Sequence, residues 1–458
     1  MTGQTDGRAG AVPRTGMGAA ISRLPWLTGL PREVGVIAGI AFCVALGFGI
    51  LAPAIPIFAR TFGVSAFMAG AVISVFALMR LVGAPGAGAL VNRLGERFVL
   101  AAGLIIVAAS SLVAGLSQSY DQLLILRGVG GIGSAMFTVS AMALLLRTAG
   151  PAQRGRSAGA FQAGFLFGGI AGPAVGGLVV GISIRAPFFV YSGTLAVATV
   201  VALMFLRSPE QIEAERAAAT GEDHSPAEVA ADLGSKQGAA GGSDSERGST
   251  KAAVEQRATL RKALRNGGYR AALLVNLTNG FVTFGIRTSL VPLFVVEALL
   301  QGPGLAAIGF LVAALTQGVV LLPAGRLADQ RGRKPAMIVG TAVTATGMGL
   351  LAAAGNPVVF VVAMAVLGVG TAFLGSAPAA VVGDVVGQQR GGLVVAAFQM
   401  IADLGAIIGP LLAGMLADSV GYHWAFATGL VVTLLALCLT LVMPETRVAL
   451  VTDAKAAA

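Results

Sequence analysis

Charge is scarce in this sequence: 11% of its 458 residues are Asp, Glu, Lys or Arg, less than half of the roughly 25% found in soluble domains. That scarcity excludes a water-soluble globular fold, a disordered chain and a basic nucleic-acid binder together. Cysteine and histidine number two each. Cys43 and Cys438 fall inside apolar runs, so neither a disulfide framework nor a metal site is expected. His224 lies in a polar stretch, and His423 stands beside Tyr422 and Trp424, which read as interfacial anchors. No Gly-x4-Gly-Lys-Ser/Thr loop occurs, and no nucleophile is paired with a base, so neither an ATP-driven pump nor an enzyme is supported and no cofactor is implied. What the chain does have is 56% hydrophobic residues, 65 glycines and 19 prolines. Glycine and proline are commoner in membrane helices than in soluble ones. The chain reads as an all-α integral membrane protein.

A helix crossing the hydrocarbon needs about 20 apolar residues. Twelve runs qualify, near 34–58, 66–90, 98–117, 122–146, 157–182, 188–206, 271–296, 305–327, 336–354, 357–382, 393–416 and 424–443. They are long and dense in Ala, Leu, Val and Gly, which favours helices over barrel strands. The first run is too long, and too far from the start, for a removable signal peptide. Lys and Arg fix the direction. With the N-terminus inside, 26 of the 31 basic residues fall on the cytoplasmic side, only Arg60 and Arg185 fall outside, and Arg80, Arg127 and Arg287 lie within spans. The excess of base therefore reports topology, with both termini cytoplasmic, and not nucleic acid.

Five segments follow: a tail over 1–32, six spans over 33–206, a linker over 207–269, six spans over 270–444 and a tail over 445–458. The linker is acidic first, and its end, Arg247 to Arg270, holds seven basic residues against Glu255 alone. It reads as a tether that ends in a short basic helix against anionic lipid headgroups, or as a solvated tether only. The two six-span halves are related by an internal repeat. Gly88-x3-Asn92-x2-Gly95 returns as Gly325-x3-Asp329-x2-Gly332, and Gly131-x-Gly133 as Gly368-x-Gly370. Gly168-x3-Gly172-Pro173 returns as Gly405-x3-Gly409-Pro410, again 237 residues on, while Gly49-Ile50-x5-Pro56 returns as Gly285-Ile286-x5-Pro292 at 236. Duplicated six-helix bundles point to a transporter whose site lies between them at mid-membrane.

With these motifs the sequence resembles the major facilitator superfamily over residues 33–444. The family's loop signature between helices 2 and 3 is matched by Gly88, Asn92, Arg93, Gly95 and Arg97, with Asn92 for Asp and Glu96 for Arg. The second half matches with Gly325, Asp329, Gly332, Arg333 and Lys334, with Gln330 at the first Arg position. The glycines allow a tight turn and the charges clamp the inner ends of neighbouring helices. Asn92 weakens the usual carboxylate contact with an opposing helix terminus and predicts a looser gate there. Arg127-x3-Gly131-x-Gly133 resembles the buried-arginine motif that the family uses in proton coupling. Gly159, Gly168, Gly172, Pro173, Gly176 and Gly177 match the helix-5 pattern of family exporters working as antiporters, although the same glycines also make a packing groove. The resemblance implies two pseudo-symmetric bundles with helices 1, 4, 7 and 10 lining a central cavity.

Charges in hydrocarbon cost about 3 kcal/mol or more and mark function by default. Asp403 is the one mid-membrane carboxylate, and Glu297 stands at the outer end of helix 7. The resemblance faces helix 2 toward helix 11, which brings Arg80 toward Asp403, while the repeat places Gln317 and Leu166 at the twin positions. The proton-coupling candidates are therefore Asp403, Arg127 and Arg80. Arg287 and Arg127 are the candidate cavity cations, unless carbonyls, helix ends or Glu297 neutralise them. The expected activity is proton-coupled export of small organic molecules or drugs from a bacterial cell, by a monomer with lipid, proton and small-molecule partners. Import on the same fold, or a lipid-handling or sensor protein without coupled transport, is the alternative.

Overall fold

The structure is a computed structural model, and it describes residues 31–148, 154–206, 258–386 and 392–446. Apolar sequence in lipid must satisfy every backbone group internally, and the described residues do so with helices and no strand. The first half contains α1 (Arg32–Arg60, interrupted near Pro53), α2 (Ala66–Leu94), α3 (Glu96–Gly115), α4 (Tyr120–Thr148), α5 (Arg154–Ile182) and α6 (Ala186–Phe205). The second contains α7 (Gly267–Ala298), α8 (Pro303–Gln330), α9 (Arg333–Ala352), α10 (Pro357–Val386), α11 (Gly392–Ser419) and α12 (Tyr422–Val442). Among the described residues 11 of these are long and apolar enough to cross a membrane, and α5, with 29 residues, is the remaining pass. Helices run a few residues past the expected spans because their ends carry the polar residues that hydropathy discards. The tails and residues 207–257, with His224 and most of the linker, lie outside the described residues.

Packing repeats with the sequence. α1 packs on α5 as α7 packs on α11, and α3 packs on α4 and α6 as α9 packs on α10 and α12. The bundles meet along two seams, α2 with α11 and α5 with α8. Phenylalanines fill the cores at the end opposite the 2–3 and 8–9 turns, with Phe58 edge-on to Phe188 and Phe294 edge-on to Phe426. The 258–265 stretch is helical; its Leu260 and Ala263 pack with Tyr269, Val382 and Val394, leaving Arg261, Lys262 and Arg265 exposed. We call the end with those turns the basic face.

Candidate transport pathway between the bundles

The α2–α11 seam is polar along half its length. From the opposite face inward, Asp418 accepts the Ala66 and Phe67 N–H groups, both at 2.8 Å, as a carboxylate cap on the first turn of α2. Gly70 lies against the Pro410 carbonyl, and Ser74 Oγ donates to the Ile407 carbonyl at 2.7 Å. Near the middle of both helices the Arg80 guanidinium donates to Asp403 Oδ1. Asp403 is 8% exposed, so a buried carboxylate has its counter-ion in the other bundle. On the basic side of this pair, Gly86 and Gly88 of α2 have open space where a Cβ would stand, as do Gly325 of α8 and Gly159 of α5. The hydrogen bonds and ion pair that join α2 to α11 thus lie from the opposite face to the middle of the seam, and these glycines leave open space on its basic side.

Three residues at the opposite face complete that junction. Arg60 Nε and Nη2 donate to the two oxygens of Glu297 at 2.7 and 3.1 Å, joining α1 to α7, and Tyr422 O–H donates to the same carboxylate at 2.6 Å. Tyr422 is therefore not the plain interfacial anchor expected, whereas Trp424 beside it is 66% exposed. His423 Nδ1 lies 2.6 Å from the Ala352 carbonyl. Glu297 neutralises Arg60, and among the described residues it makes no pair with Arg127 or Arg287.

Each of those two arginines stands near a phenylalanine of its own bundle. Arg127 is 3% exposed, within its own bundle, and its guanidinium carbon lies 4.3 Å from the Phe76 ring centroid. Arg287 lies 5.9 Å from the Phe310 centroid. The Nε atoms of both are buried without a hydrogen-bond partner among the described residues.

At the basic face the loop motifs act inside each bundle. Gly95 and Gly332 have φ of 81° and 114°, left-handed values that a side chain would strain, and each turns its chain into the next helix. Arg333 Nε donates to Asp384 at 2.9 Å, Arg333 Nη1 donates to Asp329 at 2.9 Å, and the Arg333 and Lys334 N–H groups donate to Glu445. In the first half Glu96 pairs with Arg147 at 3.3 Å, and Arg97 donates to the Leu203 carbonyl. Glu96 is the twin of Arg333 and Arg147 the twin of Asp384, so the same clamp is made with its charges exchanged. The departure at Glu96 is thus compensated. Asn92 and Arg93 are exposed. Sequence reasoning missed Arg147, Asp384 and Glu445, although Arg147 and Asp384 stand at one repeat spacing of 237, as Glu96 and Arg333 do.

The helix-5 glycines make a groove for α1. Gly168 lies against Phe42 and Ala45, Gly172 and Pro173 against Gly49, and Gly176 against Ile50, while the surroundings of Gly177 lie outside the described residues. That is the packing role within one bundle.

Comparison with known proteins places this geometry. The Major Facilitator Superfamily profile matches residues 37–313 and 272–458. Quinolone resistance protein NorA of Staphylococcus aureus is 24% identical over 181 residues, covering 39% of this chain and 46% of that protein. Multidrug resistance protein 2 of Bacillus subtilis (strain 168) is 30% identical over 172 residues, covering 38% and 43%. The chain spans less than half the length of these curated relatives. A crystal structure of a bacterial homolog to the human lysosomal transporter Spinster, inward-facing and unoccupied, superposes with a TM-score of 0.68 at 14% identity, over 91% of this chain and 96% of that one. That likeness concerns the fold. With both halves matching one profile and the helices packed in that fold, the chain belongs to the Major Facilitator Superfamily, a family of membrane transporters and not of enzymes.

Proposed function

We propose that this chain is a proton-coupled exporter of small organic molecules, working by alternating access in a bacterial plasma membrane with both termini cytoplasmic. The observation that carries the reading is the Arg80–Asp403 pair, a buried carboxylate held across the bundle interface where the α2–α11 seam ends. A proton on Asp403 removes its charge and releases Arg80, which lowers the cost of moving the seam through an apolar step. The pair stands at the level about which the seam rocks, so proton binding and not access decides whether it is made. With open space on the basic side of the seam, the bundles are arranged to load substrate from the cytoplasm while Asp403 is ionised. Uptake of an outside proton by Asp403, after the bundles have tipped the other way, releases the substrate and resets the carrier. Arg127, beside Phe76 and one turn from Gly131, supports the field around Arg80 from inside the first bundle. The exposed Arg261, Lys262 and Arg265 face anionic headgroups and hold the start of α7 at the membrane surface. The relatives named for quinolone and multidrug resistance support an organic substrate. The proposed working unit is a monomer.

The deciding experiment uses everted vesicles with an imposed pH gradient. Adding substrate is expected to discharge the gradient through wild-type protein. Asp403→Asn is expected to bind substrate but to ignore the gradient. Undiminished gradient-driven transport by Asp403→Asn removes the coupling assignment, and substrate movement in the direction of the proton makes the chain an importer.

A further inference from the structure

Helices α1 and α7 are twins by sequence, yet α7 is two residues longer between matching points. α5 presents Gly168 to the Phe42 carbonyl and the Leu46 N–H of α1; its twin in α11, Gly405, meets the Leu277 carbonyl and the Phe281 N–H of α7. Gly405 follows Gly168 by 237 residues, but Leu277 follows Phe42, and Phe281 follows Leu46, by only 235. One turn later Gly172 meets Gly49 and Gly409 meets Gly285, which are 236 apart. Beyond both helices the left-handed turn residues Gly63 and Leu300, and the helix starts Ala66 and Pro303, are 237 apart. The extra residues fall where α7 winds as a π-helix, over Gly280–Ile286 and Phe294–Ala298. A π turn amounts to one residue inserted in an α-helix, and such turns occur frequently at functional sites.

The first insertion decides what stands at Arg287. The matching stretch of α1 is Leu51 and Ala52, both buried, after which that helix breaks at Pro53. α7 continues unbroken into Arg287–Leu293, a segment that touches α1 and α2 of the other bundle. Thr288 Oγ1 donates to the Thr283 carbonyl, five residues back, at 3.2 Å and braces the turn. Flanking this π segment are two side-chain atoms that are buried without a partner among the described residues, the acceptor Asn279 Oδ1 and the donor Arg287 Nε. No described carboxylate pairs with Arg287. Arg127 and Arg287 each stand by a ring of their own bundle, Phe76 at 4.3 Å and Phe310 at 5.9 Å, and the segment that Arg287 opens also touches the other bundle.

We propose that Arg287, set out of its twin's register by the first π turn, anchors an anionic group of the substrate, which is therefore an amphiphile with a carboxylate or equivalent at one end. An uncompensated guanidinium in low dielectric attracts such a group and repels a second cation. The proposal deepens the exporter reading, but its test needs neither coupling nor transport.

Dansylglycine and its methyl ester share the reporter and differ at one end, a carboxylate against a neutral ester one methyl larger, and both report binding by fluorescence. Full-length protein purified in detergent is expected to bind the acid about tenfold more tightly than the ester, the size of one charge-assisted hydrogen bond. In Arg287→Ala the acid-to-ester ratio is expected to fall to near one, and Arg287→Lys to keep part of it. Should Arg287→Ala not yield folded protein, judged by its melting transition, Arg287→Gln decides in its place. Equal affinities in the wild type, no binding of the acid, or a ratio that survives loss of the guanidinium each overturn the proposal. An exporter that discharges the pH gradient with acid and ester alike would keep the exporter reading and lose only this one.

Discussion

The two seams between the bundles occupy equivalent places in the repeat and are made of different chemistry. Along α2–α11 stand Asp418 on the α2 N-terminus, the Ser74–Ile407 hydrogen bond and the Arg80–Asp403 pair. Along α5–α8 the same positions are Gly181, Leu311 with Ile170, and Leu166 with Gln317; the side chain of Ile170 rests against Gly318. An apolar seam slides or parts with little dependence on protonation, because dispersion and lipid packing have no titrating group. A polar seam in lipid must break charged and hydrogen-bonded contacts to part, and in the proposed mechanism Asp403 takes a proton. On that proposal a symmetric fold carries its proton sensitivity on one side only.

The sharpest way to break this comparison is to copy one seam onto the other. Arg80→Gln alone leaves Asp403 buried and unpaired, a loss of about 3 kcal/mol that should appear as a much lower melting temperature. Arg80→Gln with Asp403→Leu reproduces Gln317 and Leu166 on α2–α11. The double variant is expected to recover most of that stability and to bind substrate without regard to pH. A double variant as unstable as the single one would mean that the seams are not interchangeable frames.

Closer to the opposite face, Asp418→Ala removes a carboxylate cap worth about 1 kcal/mol. The closed arrangement at that face should be populated less. In a protein lacking Cys43 and Cys438, a cysteine at Ser74, which is 4% exposed, should then react faster with an impermeant maleimide applied from that side. Gly181→Ala, at the twin position with open space around it, should leave the corresponding rate at Leu311→Cys unchanged.

The basic-face clamps bound the comparison from below, because they tie helices within one bundle. Glu96 sits at the first turn of α3 and Arg147 in the last turn of α4, both favourable to the helix dipoles. Arg333 and Asp384 have the opposite arrangement, and the second half compensates with Glu445, whose carboxylate receives the N–H groups of Arg333 and Lys334. Glu96→Arg should lower melting by the equivalent of about 1 kcal/mol, and adding Arg147→Asp should return most of it. Neither change should alter maleimide access at Ser74→Cys.

Much of this architecture was legible in the sequence for physical reasons. Hydrocarbon demands long apolar helices, so the spans announced themselves, and a lone buried carboxylate needs a partner, so Arg80 and Asp403 pointed to each other across helices assigned by family resemblance. The π turns of α7 were not legible. A single inserted residue leaves composition and hydropathy untouched and shows only as an offset of 236 where 237 was expected, at Gly49 and Gly285. Asp418 was hidden because a carboxylate just past an apolar run looks like any solvated helix end. The exchanged clamp was missed because a family signature scores Glu96 as a departure, whereas the repeat conserves the pairing and not the sign.

The smallest effect tests the seams at their basic ends, where α2 closes with Asn92 and α8 with Asp329. Asp329 has a side chain 72% exposed, but its carboxylate holds Arg333, which in turn holds Asp384. Its removal should loosen that arginine without unpairing it, at a cost near the exposed ion-pair value of about 0.5 kcal/mol. Asn92 is exposed and has no hydrogen bond to another described residue, so Asn92→Ala should cost less. Transport measured at matched expression should therefore fall more for Asp329→Ala than for Asn92→Ala, with Arg333→Gln worse than either because it strands Asp384. Equal losses from Asn92→Ala and Asp329→Ala would place a contact on Asn92 in another arrangement of the bundles, when the basic face closes and α2 approaches the start of α11. The α2 seam would then be polar over its whole length, and the contrast with α5–α8 would be stronger than the present arrangement reveals.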